Sequence, residues 1–543
     1  MSTPLLQLRE LSVSAGTTRL LDAIDLQLAP GECLGILGPS GSGKSLTALS
    51  LIDLLPRGLT RRYAQLAWRG QDLSATQLSA LRGREIAYVF QDAASSLHPM
   101  RRVLDQLSET LQYHGLASAR TAADAARAQL AALGLDQPHW QEAYPHQLSG
   151  GQRQRAMLAL ALAPQPALLL ADEPTSALDP VLAARVRELL LGEVRRRGMA
   201  LIFISHDLAL LAASCDRLLV LEAGRIVEQG PAGAVWAAPQ HPLTRRLKDA
   251  VVLDAAPGGE PAAAVDGAAP LLRAQRLRVQ QPAGWSWRGR RWRNTLELDD
   301  FALGPGDSLG VVGASGSGKS TLARALLQLC AHQQGQLSWF GQRVDACGEA
   351  ERRRLRPGLQ MVFQDPGRSL DPMLSIGSML EQALRLAPQA LDADARRQRA
   401  LQLLQAVDLG AEALPRYPAQ FSGGQKQRLA IARALALSPR LLVCDEATSA
   451  LDVLTQAQIV ALLDRLRRSQ GLTLVVIAHD LTVLARLCDQ LLVLDQGRVV
   501  EQGRVQDCLR GARSAALRAL IDARPLPERP AASAYSTVKP GEN

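Results

Sequence analysis

One glycine-rich octamer occurs twice in this chain, and that repetition limits what the chain can fold into more than any other feature. GPSGSGKS at Gly38–Ser45 returns as GASGSGKS at Gly313–Ser320. Three more segments return behind it in the same order. LSGGQRQR (Leu148–Arg155) becomes FSGGQKQR (Phe421–Arg428), LLLADEPTSALD (Leu168–Asp179) becomes LLVCDEATSALD (Leu441–Asp452), and FISHDLALL (Phe203–Leu211) becomes VIAHDLTVL (Val476–Leu484). Gln91 and Gln364, Gly151 and Gly424, Glu173 and Glu446, and His206 and His479 are each 273 residues apart, and Lys44 and Lys319 are 275 apart. Four motifs at one offset mean two copies of one domain, separated by a small insertion. A chain of 543 residues is also too long for a single core.

Within each copy the apolar runs are short. Cys33–Leu37, Leu168–Ala171, Leu201–Ile204 and Leu218–Leu221 read as buried parallel strands, with Leu/Ala/Arg-rich helical stretches between them. That alternation predicts an α/β, doubly wound domain with a mostly parallel sheet. The opening residues of each half predict a short antiparallel layer. The Ala/Gly/Pro-rich stretch Leu253–Pro270 reads as a flexible linker. From Leu271, LLRAQRLRV restarts the pattern of LLQLRELSV at Leu5–Val13. The expected division is therefore a first domain over 1–250, a linker over 251–270, a second domain over 271–523 and a disordered tail over 524–543.

Composition excludes several classes. The opening MSTPLLQLRE lacks a basic stretch followed by an apolar core, so no signal peptide is expected. The longest apolar stretch, Ala156–Ala171, is split by Pro164, Gln165 and Pro166 and is too short to span a bilayer. Seven cysteines without a C-x-x-C pair read as reduced, mostly buried thiols. The net charge of +9 is modest and is carried largely by scattered arginine.

The octamers match G-x-x-x-x-G-K-[ST], whose glycines let backbone N–H groups curl around phosphate oxygens at a helix N-terminus. Gly38, Pro39, Ser40, Gly41, Ser42 and Gly43 would form one cradle; Gly313, Ala314, Ser315, Gly316, Ser317 and Gly318 would form the other. Lys44 and Lys319 would bridge β- and γ-phosphate oxygens, and Ser45 and Ser320, the latter followed by Thr321, would ligand Mg²⁺. Asp172 and Asp445 end apolar strands, where a carboxylate can hold Mg²⁺ through water. Glu173 and Glu446 stand beside them, placed to polarise an attacking water as general base. His206 and His479 each follow an apolar strand and read as γ-phosphate sensors. Gln91 and Gln364 can reach Mg²⁺ or the attacking water through a flexible amide.

A second anion site is expected in each copy. Ser149, Gly150, Gly151 and Gln152, like Ser422, Gly423, Gly424 and Gln425, open an Ala/Leu/Arg helix; the serine caps it and the glycines expose N–H groups. The phosphate loop already has its own helix, so the simplest use of this end is a nucleotide held by the other copy.

In family order and twice over, the phosphate loop, glutamine loop, LSGGQ signature, acidic strand end, SALD loop and histidine resemble the ATP-binding cassettes of ABC transporters. The resemblance covers nearly the whole chain. It implies two tandem ABC-type P-loop NTPase domains, each with a mostly parallel sheet, an antiparallel β layer and a helical subdomain over about 93–148 in the first copy. It implies head-to-tail pairing around two ATP molecules. One site would join Gly38–Ser45, Gln91, Asp172, Glu173 and His206 to Ser422–Gln425; the other would join Gly313–Ser320, Gln364, Asp445, Glu446 and His479 to Ser149–Gln152. Asp179 and Asp452 would cross the interface. ATP and Mg²⁺ are the implied cofactors. The implied partners are two transmembrane permease subunits and, through them, a solute-binding protein, with the chain peripheral on the cytoplasmic face of the plasma membrane.

FQDAASSLHPM (Phe90–Met100), FQDPGRSLDPM (Phe363–Met373) and HPLTRRL (His241–Leu247) resemble the peptide/nickel importer branch, with Leu243 where that branch prefers tyrosine. The second copy shows no equivalent of HPLTRRL near Gly503–Ala515. The places of the aromatic residue that stacks on adenine in this family match Ala15 and Gln281, neither of them aromatic. GWSWRGRRWRN (Gly284–Asn294) reads as a surface hairpin, with a tryptophan platform for adenine or a nucleic-acid contact as alternatives. The rival function is a soluble twin-cassette protein acting on ribosomes or nucleic acid; the short, nearly uncharged linker argues against it.

Overall fold

The strand segments form where a continuous apolar run can be buried on both faces. CLGIL (Cys33–Leu37), LLLAD (Leu168–Asp172) and ALIFIS (Ala200–Ser205) are buried at every residue. The computed structural model describes residues 3–91, 96–176, 178–252, 269–286, 289–449 and 451–525, and the side chains of these except 283–291. Most of the expected linker (253–268), most of the expected tail (526–543) and positions 92–95 behind Gln91 lie outside the described residues. The chain divides into two compact units that part between Val251 and Val252.

In the first unit a six-stranded sheet runs in the order Arg225–Pro231, Arg217–Glu222, Cys33–Leu37, Ala200–Ser205, Leu168–Asp172, Ile86–Val89. All pairings are parallel except the edge strand Arg225–Pro231. The expected antiparallel layer is present: Leu6–Ala15 pairs with Thr18–Leu28, Leu59–Arg62 and Gln65–Trp68. Leu6, Leu8, Ile24 and Leu28 of that layer share one core with Leu34, Ile36 and Ile202 of the parallel sheet.

The second unit repeats this order with Ser308–Val312 between Gln490–Asp495 and Thr473–Ile477, then Leu441–Asp445 and Leu359–Val362. Here the two layers join into one ten-stranded sheet through a single parallel bridge, Glu297 to Arg498. GWSWRGRRWRN does form part of a hairpin. Leu272–Ser286 pairs antiparallel with Gly289–Leu303, out to Ser286 opposite Gly289. Trp292 lies with its ring 4.1 Å from that of His332, while Gln281 pairs with Arg293 in the ladder.

Helices Val103–Tyr113, Ala122–Ala132 and Gly150–Leu162 in the first unit correspond to Ile376–Arg385, Ala393–Ala406 and Gly423–Leu435 in the second. The cysteines are free thiols. Burial pushes the Cys444 thiol up to about 12, which keeps it protonated and inert.

Each sheet is followed by one more helix. HPLTRRL forms the helix Pro242–Val251, which buries Leu243 and Leu247. The second unit has a counterpart after all, Ala515–Asp522, with Leu517 and Leu520 buried. What repeats is a carboxylate. Glu228 accepts the N–H groups of Gln240 and His241 at 2.8 and 2.9 Å. Glu501 accepts those of Arg513 and Ser514 at 3.1 and 2.8 Å, and the Ser514 hydroxyl at 2.6 Å. One glutamate and two buried leucines are too sparse a pattern to recognise among unlike neighbours.

Burial alone would raise both carboxyls, but these hydrogen bonds to the anion overcome it and hold both pKa values below the usual glutamate range. Depressed carboxyl pKa values contribute stability that is present above the unfolded value, about 4.3, and is lost as pH falls through the folded one. Acidification from pH 6 to pH 3.5 is therefore expected to loosen both terminal helices, read as lower amide protection factors over 243–251 and 515–522 once the slower intrinsic exchange at low pH is divided out. Glu501→Gln should speed exchange in the second helix at pH 6 and abolish its further response to acid.

Candidate functional site

The sheet order brings four strand ends to one edge. Cys33–Leu37 leads into the glycine loop, Ala200–Ser205 into His206, Leu168–Asp172 into Glu173, and Ile86–Val89 into Phe90 and Gln91. In an open α/β sheet the carboxyl ends of the strands are where ligands bind. The second unit aligns Gly313–Gly318, His479, Glu446 and Gln364 in the same way.

The glycine loop is closely fitted. A Cβ on Gly38 would stand 2.4 Å from Leu221 O, and one on Gly313 would stand 2.2 Å from Leu494 O. Gly43 and Gly318 start the helices Lys44–Leu51 and Lys319–Leu326 at φ 103° and 104°, a left-handed conformation that β-carbon sterics disfavour. Lys44 Nζ donates to Gly38 O and Pro39 O at 2.7 and 3.0 Å; Lys319 Nζ donates to Gly313 O and Ala314 O at 2.8 and 2.9 Å. Both ammonium groups are thus held inside the loop. Ser42 Oγ and Ser317 Oγ are buried there without a hydrogen-bond partner. A buried donor of this kind, at a helix N-terminus and beside a lysine, fits an anionic phosphate.

Ser320 Oγ donates to Asp445 Oδ1 at 3.1 Å, and the Ser45 hydroxyl favours the charged form of Asp172. Burial pushes both aspartate carboxyls above their ordinary values. Among the described residues no group of three or more His, Cys, Asp or Glu could hold a metal alone. One carboxylate and one hydroxyl suit Mg²⁺, which completes its shell with water and phosphate oxygens.

Glu173 and Glu446 turn off their strands at φ 44° and 48°. Left-handed backbone at a non-glycine residue costs about 1–3 kcal/mol and gathers at functional sites. The turn still satisfies the backbone, since the N–H groups of Glu173 and Glu446 donate to Ile204 O and Ile477 O. Gln91 Nε2 donates to Glu173 Oε2 at 3.0 Å and Gln364 Nε2 donates to Glu446 Oε2 at 2.7 Å. His206 Nδ1 stands 3.1 Å from Glu173 Oε1. Burial of His206 opposes its charging, but the Glu173 carboxylate outweighs that and raises the imidazole pKa. Gln91, Glu173 and His206 therefore form one connected set. Sequence reading placed all three near the nucleotide, but not the glutamine on the glutamate.

The signature serines act as expected within their own units. Ser149 Oγ accepts from Gln152 N while Gln152 Oε1 accepts from Ser149 N, and Ser422 with Gln425 repeats this capping box. Gly150 and Gly423 stay exposed at these helix starts. Asp179 and Asp452 also cap helices, accepting from Leu182 N and Thr455 N at 3.1 Å each. One bond was missed altogether: Tyr88 OH donates to Asp172 Oδ2 at 2.8 Å. The visible signal was a tyrosine at position 88 facing a methionine at 361 across the repeat.

The arrangement can bind a nucleotide polyphosphate and polarise water against its terminal phosphate. Glu173→Gln and Glu446→Gln are each expected to lower ATP turnover by about a hundredfold while ATP binding persists, measured by phosphate release and by equilibrium nucleotide titration. Full turnover in either variant would show that its glutamate is not the base.

Residues 21–176 and 296–449 each match the ABC transporter family. The chain is 40% identical over 511 residues to the peptidoglycan transport ATP-binding protein YejF of Agrobacterium fabrum, covering 92% of both chains. It is 39% identical to an uncharacterized ABC transporter ATP-binding protein, YejF of Escherichia coli, over 93% of this chain and 96% of that one. It is 39% identical to the glutathione import ATP-binding protein GsiA of Escherichia coli, over 88% of this chain and 82% of that one. The chain belongs to the ABC transporter family, and each of its two units carries an ATP-binding cassette.

Proposed function

We propose that this chain is the motor subunit of a bacterial importer for peptides or related small solutes, hydrolysing ATP with Mg²⁺ to drive two separate permease subunits. The observation that carries the reading is a repeated apolar surface beside each glutamine. Phe90, Met100 and Tyr113 are exposed in the first unit, and Phe363, Met373 and Leu386 stand at the same places in the second. Met100 is 77% exposed and Met373 is 81% exposed, unusual for a methionine without a partner. In the second unit this surface borders a cavity of about 500 Å³ lined by Phe363, Met379, Leu386 and Arg433. Phe90 adjoins Gln91 and Phe363 adjoins Gln364, so a body docked there can sense whether nucleotide is bound.

On this reading the cassettes span 1–250 and 271–523 and pair head to tail. Ser422–Gln425 complete the nucleotide site of the first, Ser149–Gln152 complete that of the second, and Asp179 and Asp452 lie at the junction. Asp172 and Ser45, and Asp445 and Ser320, hold Mg²⁺ in concert with Gln91 and Gln364. Lys44 and Lys319 bridge the phosphates, Glu173 and Glu446 take a proton from water, and His206 and His479 orient the terminal phosphate. Among the described residues no helix is long and apolar enough to cross a membrane, so the membrane path belongs to other chains and this one docks on their cytoplasmic face. Relatives named for peptidoglycan and glutathione support a cargo that contains peptide bonds. A solute-binding protein would deliver that cargo to the permeases.

The reading is tested by purifying the tagged chain from membranes and identifying what accompanies it. Two permeases are expected, and a vesicle-reconstituted complex should hydrolyse ATP faster with muropeptide, glutathione or dipeptide. Recovery with ribosomes and without permease would overturn it. The apolar surface makes a separate prediction. Phe363→Asp with Met373→Asp should abolish solute-stimulated hydrolysis while the isolated chain keeps its basal rate within about twofold.

A further inference from the structure

The two metal carboxylates do not have the same surroundings. Asp172 Oδ2 accepts a 2.8 Å hydrogen bond from Tyr88 OH, which the strand register holds in place. Among the described residues Ser320 is the one side chain that donates to Asp445. At the position that corresponds to Tyr88 stands Met361, a buried thioether with no hydrogen to give. The strand carrying Tyr88 is tied to the strand carrying Asp172 in parallel register, Tyr88 opposite Leu170, so the phenol is not free to drift. On its other side the Tyr88 ring lies 4.5 Å from Phe90, which is 44% exposed on the apolar surface described above.

We infer that Tyr88 is a positioning residue that makes the first site the tighter metal site. The inference rests on the reading of Asp172 as the carboxylate that holds Mg²⁺. A buried carboxylate held by a phenol that is fixed in the sheet presents its remaining lone pairs in one direction. Held only by a serine hydroxyl that is itself read as a metal ligand, it can rotate, and ordering it is an extra cost when metal binds. Partners that hydrogen-bond a ligating carboxylate are worth about 10–100-fold in metal affinity. Tyr88 donates to Asp172 and takes no part in proton transfer to water. Through Phe90 it also places the first metal carboxylate one ring away from the permease-facing surface, a link that the second unit lacks.

The test uses the full chain with a non-hydrolysable ATP analogue and Mn²⁺ as a paramagnetic probe titrated by electron spin resonance. The unsubstituted chain is expected to fill two sites in separate steps, about tenfold apart. Tyr88→Met, which installs the residue the second unit folds with, should merge them into one weaker step; Tyr88→Phe should do the same while keeping the ring. Met361→Tyr should shift the weaker step toward the stronger. Free-Mg²⁺ dependence of hydrolysis by the full chain gives a second measure, in which Tyr88→Met should raise the half-saturating concentration of the tighter phase about tenfold. An unchanged thermal midpoint separates positioning from loss of fold. If Asp172→Asn removes the tight step but Tyr88→Met leaves it in place, the role of Tyr88 is refuted and the metal reading stands. If Asp172→Asn changes nothing, both are refuted.

Discussion

A lysine ammonium held inside a loop of backbone carbonyls is the constraint on which each unit depends. Lys44 and Lys319 are both 7% exposed. Such a group is costly to bury, and each Nζ is met by two backbone carbonyls. That requirement propagates outward. The loop must leave its strand at Gly38 or Gly313 with no side chain in the way, since a carbonyl from the neighbouring strand occupies that space. The neighbouring strands must end at the same level, so that Asp172 and Asp445 reach the serine at the head of the helix. The sheet order follows from the need to bring those ends together.

Around this centre each unit stores strain and charge where the chemistry would occur. Glu173 and Glu446 adopt left-handed backbone, and their carboxylates are held by the glutamine of the next strand end. That glutamine leads directly into the exposed apolar surface. Phe90 and Phe363, both exposed, adjoin the two glutamines in the chain. The units share this plan but differ in detail: the first has Tyr88 on its aspartate and His206 on its glutamate, whereas the second offers Met361 at the former place.

Much of this was legible beforehand. The glycine loops, the acidic strand ends, the histidines and the capping boxes are local motifs, set by residues within a few positions of one another, so their types and spacing suffice. The buried strands were legible because parallel strands are apolar on both faces. The contacts that were not legible join residues far apart in the chain. Gln91 meets Glu173 across 82 positions and Tyr88 meets Asp172 across 84. The helix Ala515–Asp522 carries its own serine cap at Ser514, but nothing in that short stretch repeats the residues of HPLTRRL.

By itself the sequence determined that there are two copies of one α/β nucleotide domain, where the glycine loop of each lies, and which carboxylates end the strands beside it. These follow from backbone chemistry that only a few residue types allow. Only the tertiary structure decided which oxygen each donor meets, and so that the two repeats, nearly identical in motif, hold Asp172 and Asp445 differently. Hydrogen bonds depend on ångström-scale placement across the sheet, and that placement is settled by strand register and packing, which no single stretch of sequence contains.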